Sequence, residues 1–241
     1  MHINSLIKNT LRKFGVEVHR FAPASSPTAQ LVTSLQKFDI DFILDVGANA
    51  GQFVTEIRSG GYMGNVVSFE PLSSAWSALK KAGEGDLKWE VYSRCALGDK
   101  DGEIEINIAG NSASSSVLPM LDSHLSAAPH TAYVGKEIVS LLTLDEVAPA
   151  YIEKYQNPFL KIDTQGFEWA VLDGATNILP KISGVLLELS LVPLYEGQHL
   201  WEDLILRMKQ EGFTLWAIQP GFTDPRNGRT LQCDGIFFRI P

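Results

Sequence analysis

The sequence predicts an α/β protein with a mostly parallel sheet and helices on both faces. Three features carry this prediction. Short continuous apolar runs end at turn residues, amphipathic stretches lie between them, and a last pair of apolar runs flanks a Pro/Gly-rich turn. Continuous rather than alternating apolar strands belong to a sheet covered on both sides. The final pair adds an antiparallel hairpin at one edge.

The elements follow in order. Residues 3–14 place Ile3, Leu6, Ile7, Thr10, Leu11 and Phe14 on one helical face, with Lys8, Arg12 and Lys13 on the other. A basic amphipathic helix of this kind can contact a membrane surface through residues 3–20, or pack on its own domain or a second subunit. Residues 22–29 (APASSPTA) read as a linker, so residues 1–29 stand apart from a domain at 30–241.

Strands are predicted at 41–46, 66–70, 87–92 and 103–108, then at 157–163 and 184–190. Helices are predicted at 52–58, at 73–82 with Ser73 as N-cap, through Leu172 after the fifth strand, and at 200–211. Residues 110–135 are polar and serine-rich and read as a long functional loop. FTLWAI and CDGIFFRI form the terminal hairpin.

Composition narrows the function. A net charge of -8 over 241 residues excludes a general nucleic-acid binder, which needs a basic surface. Cys95 and Cys233 stand alone, so neither a zinc site nor a disulfide framework is expected. No apolar run approaches the roughly 18 residues of a membrane span, and the N-terminus lacks the apolar core of a secretory signal. A cytoplasmic protein is expected, with oligomeric state open.

Chemistry concentrates after the strands, because ligands in open α/β sheets bind beyond the carboxyl ends. The first strand runs into Asp45-Val-Gly-Ala-Asn-Ala-Gly51. Gly47 and Gly51 permit a sharp turn close to a ligand. Glu70, ending the second strand, can accept hydrogen bonds from the paired hydroxyls of a ribose. An adenosine-containing ligand follows. The spacing is GxxxG rather than GxGxxG, and Asp45 precedes it. A carboxylate there repels pyrophosphate but suits an ammonium and a sulfonium, favouring S-adenosylmethionine over a dinucleotide. A nicotinamide-dependent oxidoreductase remains the alternative. Against it stand the missing third glycine and the lack of a Tyr-x-x-x-Lys pair at Tyr151.

DVGANAGQF, SFEP, CALGD, FLKIDTQGFEWAVLDGA and LLELSLVPLYEGQ together resemble the FkbM-type family of S-adenosylmethionine-dependent methyltransferases, from about residue 39 to the C-terminus. The resemblance implies a Rossmann-like class I methyltransferase with a seven-stranded sheet. It implies O-methylation of a hydroxyl on a sugar, glycolipid or related metabolite, with a small-molecule or glycan acceptor. It places Asp45, Gly47, Asn49 and Gly51 at the methionine end of the donor, Glu70 at the ribose, Ala96 and Leu97 at the adenine, and Asp163 facing the methyl group. Where many relatives read Glu, this chain has Gln165. That change leaves open a non-catalytic donor-binding protein of the same fold.

A hydroxyl nucleophile calls for a general base. Asp163 heads the candidates, followed by Glu188 and Glu168. Asp163 with Glu188 could also hold a divalent cation, although no metal is expected. His124 and His130 lie in the long loop, and His199 precedes a helix. Ser114–Ser116 could touch a ligand. Trp169, Tyr195 and Trp201 could form a sugar-stacking wall, with core packing the alternative for Trp169.

Overall fold

The computed structural model describes residues 5–240. Ten strands occur among them in chain order: β1 (Phe42–Val46), β2 (Asn65–Phe69), β3 (Trp89–Val91), β4 (Ala96–Leu97), β5 (Gly102–Ala109), β6 (Tyr133–Leu142), β7 (Pro158–Ile162), β8 (Gly184–Ser190), β9 (Thr214–Pro220) and β10 (Gln232–Phe238). The helices are α1 (Ser5–Arg12), α2 (Pro27–Lys37), α3 (Gln52–Ser59), α4 (Ser73–Gly83), α5 (Asp122–Ala127), α6 (Leu144–Val147), α7 (Pro149–Ile152), α8 (Glu168–Asp173) and α9 (Trp201–Gln210).

The main sheet has seven strands in the order β3-β2-β1-β7-β8-β10-β9. Strands β3 through β8 in that order are parallel. Strand β10 is antiparallel to both β8 and β9, which makes the expected terminal hairpin. Every residue of β1 and β7 is buried, which is why their sequences are continuously apolar apart from Asp45 and Lys161. Alternate residues feed two cores. Phe42, Leu44, Leu160 and Ile162 pack under α8 and α9 with Leu172, Leu204 and Met208. Ile43 and Phe159 pack under α2 and α3 with Leu35, Val54 and Ile57.

Three local expectations change. A second sheet, ordered β4-β6-β5, takes in residues 133–142 and the strand expected at 103–108. It covers Leu72 and Ala75 with Ile106, Val139 and Leu141. The expected loop at 110–135 also holds α5 and short 3-10 turns at Ser112–Ser114 and Pro129–Thr131. In α4 the N-cap is Leu72, not Ser73, because the Ser73 amide and hydroxyl both donate to the Glu137 carboxylate.

The expected linker at 22–29 is cut short by α2, which starts at Pro27. The Ser26 side chain accepts from the Ala29 amide, and proline suits the first helical position. Helix α1 falls inside the predicted 3–14, with Ile3 outside the described residues. Phe14 and Phe21 beyond it are largely exposed. No helix among the described residues is long and apolar enough to cross a membrane.

Candidate functional site

Strand β1 pairs with β2 on one side and β7 on the other. The segments leaving β1 and β7 therefore diverge and open a crevice beyond the strand ends. Gly47 sits where these segments nearly touch. Its φ is +72°, and a Cβ there would lie 1.8 Å from the Asp163 carbonyl oxygen. Gly51 has another task. At φ +88° it begins α3, and a Cβ would strike the Trp89 ring at 2.7 Å.

Glu70 is fixed by backbone donors. The Asn49 amide donates to Oε2 at 2.8 Å and the Leu72 amide to Oε1 at 2.9 Å. Each oxygen keeps a further lone pair. Burial raises the Glu70 pKa to about 7, although these hydrogen bonds and Lys161 work against it.

Asp45 is fully buried beneath the glycine turn and does not border the cavity. One oxygen accepts from the Ser68 hydroxyl at 2.8 Å, and that hydroxyl accepts from the Trp89 indole. The other lies 3.1 Å from Lys161 Nζ. Asp45 and Lys161 are direct neighbours in the β1–β7 register. Lys161 also donates to the Gly47 carbonyl at 2.8 Å and lies 3.8 Å from Asp163. Burial opposes the lysine's charge, but Asp45 and Asp163 outweigh it and its pKa is raised. This buried pair holds the two strand ends together, a role the sequence did not assign to Lys161.

The cavity above has Glu70 and Asn49 on one side and Asp163 with Gln165 on the other. Ala96 and Leu97 border it, with Leu72, Ile106, Val117 and Phe167 adding apolar wall. Among the described residues that line it there is no lysine, arginine or histidine. The site thus offers an anchored carboxylate beside an apolar slot, and no cationic side chain for a phosphate. A carboxylate with free lone pairs beside an apolar slot fits an adenosine.

Gln165 is the hub of the far side. It takes a φ of +56°, a strained conformation for a residue with a side chain. The Ser116 hydroxyl donates to its carbonyl at 2.6 Å, and the Tyr195 hydroxyl to its side-chain oxygen at 2.9 Å. Its amide nitrogen donates at 2.9 Å to Asp163 Oδ1 and to both oxygens of Glu188. The two carboxyls thus meet around one amide donor. Burial, then the charges of Asp163, Glu168 and Asp234, hold the Glu188 pKa well above the carboxylate range. Asp234 pairs with Glu188 in register, and burial raises its own pKa to about 7.

Glu168 borders neither cavity. It is buried, and one oxygen accepts from the Thr164 amide and hydroxyl and the Gly166 amide. It ties down the turn that carries Gln165.

A second cavity of about 290 Å³ adjoins the first, and Ala113 and Gln165 border both. Glu188, His124, His130, Phe222 and Gln232 face it. Phe222 and Gln232 carried no signal in the sequence, because only the fold brings the β9–β10 connection here.

The expected stacking wall does not form. Tyr195 is buried, Trp169 stacks on His199 at 3.9 Å, and Trp201 is exposed on α9. His199 lies 3.7 Å from Asp203. Ser115 and Ser116 satisfy backbone groups, while Ser112 donates to the Asn49 side chain.

The family described as the methyltransferase FkbM domain matches residues 45–215. No protein of curated function matches the chain. Among solved structures, TehB from Haemophilus influenzae is similar at a TM-score of 0.47 and 10% identity, covering 96% of this chain and 65% of that one. An rRNA methylase from Streptococcus thermophilus has a TM-score of 0.47 and 9% identity, over 94% and 100% of the two chains. An O-methyltransferase of neocarzinostatin biosynthesis, NcsB1, in complex with S-adenosylmethionine and a hydroxy-methyl naphthoic acid, has a TM-score of 0.42 and 11% identity, over 88% and 56%.

Proposed function

The chain belongs to the methyltransferase FkbM family and uses S-adenosylmethionine, and from that premise we propose that it O-methylates a hydroxyl of a sugar, glycolipid or related metabolite. The observation that carries this is the Gln165 amide. It joins Asp163, at the first cavity, to Glu188, at the second.

In this reading the first cavity receives the donor. Glu70, oriented by the Asn49 and Leu72 amides, holds the ribose, and Ala96 and Leu97 flank the adenine. Gly47 and Asn49 shape the methionine end. Asp45 and Gly51 act from beneath, by ion pairing and packing. When bound, the cofactor supplies an electrophilic methyl group.

An alcohol becomes a competent nucleophile as its proton leaves. A carboxyl whose pKa is lifted from the acid range toward neutrality is suited to take that proton. Burial and the neighbouring carboxyls raise the Glu188 pKa well above its ordinary value, which makes its ionised form a stronger proton acceptor, and Glu188 faces the second cavity, so it moves ahead of Asp163 as the base. Asp163 and Gln165 fix its position. Orienting the reacting oxygen supplies part of the roughly 7–11 kcal/mol available from alignment.

The family match to a methyltransferase domain over residues 45–215 speaks against the nicotinamide alternative. A purely donor-binding role would leave unexplained why two carboxyls are joined at the boundary of two cavities.

The test is transfer of isotopically labelled methyl from S-adenosylmethionine to a panel of glycosides and glycolipids. Labelled methyl ether on at least one acceptor is expected. Tight donor binding with no transfer to any acceptor, or label on nitrogen or nucleic acid instead, would overturn the proposal.

A further inference from the structure

The second cavity is built from segments distant in sequence: α5, the turn at Pro129–Thr131, β8 and the two ends of the β9–β10 connection. Its polar walls include a histidine that the rest of the protein leaves unsatisfied. His124 is 2% exposed, and its Nδ1 has no hydrogen-bond partner. An unpaired polar atom at this depth costs about 1–3 kcal/mol. The ring is held edge-on to Tyr195 at 5.3 Å and lies 5.3 Å from Phe222, so its position is fixed by packing.

We infer that this cavity is the acceptor pocket and that it selects an uncharged, polyhydroxylated ring, with His124 and Gln232 as specificity-determining side chains. The inference rests on the methyltransferase reading above and sharpens its substrate class. Four observations support it. No lysine or arginine lines the cavity among the described residues and the carboxyl of Glu188 does, so a phosphate or carboxylate on the ligand would meet a carboxyl group with only His130 beside it as a basic side chain other than His124. Burial, then His130, lowers the His124 pKa and keeps its imidazole neutral. The walls carry amide, hydroxyl and imidazole groups suited to alcohols, while Phe222 gives one apolar face for ring C–H groups. The volume of about 290 Å³ is at the small end for ligand sites, enough for one ring unit rather than an extended polymer.

Within the pocket, a hydroxyl at the Ala113–Gln165 boundary lies beside Glu188, where it can surrender its proton. The other hydroxyls then meet His124 and Gln232. Gln232 is buried and donates at 3.3 Å to the Ser190 hydroxyl, which fixes its amide.

The probes are methyl glycosides of neutral pyranoses (gluco, galacto, manno and rhamno) against their charged counterparts, glucuronic acid and glucose 6-phosphate. Binding to the full chain saturated with S-adenosylhomocysteine is followed by ligand-observed NMR titration. At least one neutral glycoside is expected to bind about tenfold or more tightly than either charged sugar. His124→Asn and Gln232→Ala should each weaken that binding about three- to tenfold. Affinity for S-adenosylhomocysteine should stay within about twofold, reporting an intact fold and donor site.

Equal or tighter binding of a charged sugar overturns the inference, as does no neutral binding up to about 50 mM. Unchanged binding in the variants does so too; if His124→Asn does not fold, Gln232→Ala alone decides. If S-adenosylhomocysteine itself does not bind the wild type, the methyltransferase reading fails, and this inference with it.

Discussion

The two cavities are built in different ways. The first is made largely by backbone and strand ends. The glycine turn follows β1, Glu70 is clasped by two main-chain amides, and Asp45 and Lys161 lock β1 to β7. The second is made by side chains from segments that meet only in the folded protein. Backbone-built sites hold one ligand geometry and tolerate little change, whereas side-chain-built sites can be respecified by substitution.

The largest expected effect comes from breaking the first region's backbone. Gly47→Val should cost about 3 kcal/mol or more, since its Cβ collides with the Asp163 carbonyl and its φ is positive. Urea denaturation should show a much lower midpoint or no cooperative transition. No single substitution among His124, Phe222 and Gln232 should be as damaging.

Next comes the junction. Glu188→Gln should lower kcat by about 100-fold or more while leaving S-adenosylhomocysteine affinity nearly unchanged. Asp163→Asn should lower kcat less. Single-turnover kinetics separate these from a binding defect.

The third prediction concerns pH and donor binding. With its pKa at about 7, Glu70 is mostly ionised at pH 8 and mostly protonated at pH 6. Only the carboxylate can accept from both ribose hydroxyls, so S-adenosylhomocysteine affinity should fall about tenfold between pH 8 and pH 6. Glu70→Gln should bind weakly with a flatter profile.

Stability should move the opposite way. The unfolded chain ionises Glu70 near its ordinary value of 4.5, so between there and about 7 the folded state binds more protons. Stability from this group is therefore present at low pH and lost as pH rises through 7. Asp234, also raised to about 7, adds in the same direction. Unfolding free energy should be greater at pH 6 than at pH 8, by about 1 kcal/mol from Glu70 alone. Smallest of all, Ser26→Ala should cost about 0.5–1 kcal/mol through the lost α2 cap, without touching either cavity.

The contrast between the regions also explains what could be read in advance. Strands β1, β7 and β8 are short, apolar and buried, so their runs identify them directly. Gly47, Asn49 and Glu70 follow those strands at once, and local sequence places them. Strand β6 escaped, because only Val139 and Leu141 are buried along it and lysine, glutamate and glycine interrupt its pattern. The orientation of Asp45 escaped as well. A carboxylate beside a glycine turn reads as ligand-facing until the β1–β7 register supplies Lys161. Gln165 could be singled out from the family resemblance, but its positive φ and its bonds to Asp163, Glu188 and Tyr195 exist only in three dimensions. His124 could be read only as a residue of the long loop, because nothing local predicts that Tyr195 and Phe222 will bury it.

The most direct test of the central claim is calorimetric titration of S-adenosylhomocysteine into the full chain at pH 8, with wild type and Glu70→Ala side by side. Saturable one-to-one binding to the wild type is expected, weakened about 10- to 100-fold by the substitution. No binding to the wild type, or equal binding to both, would contradict it.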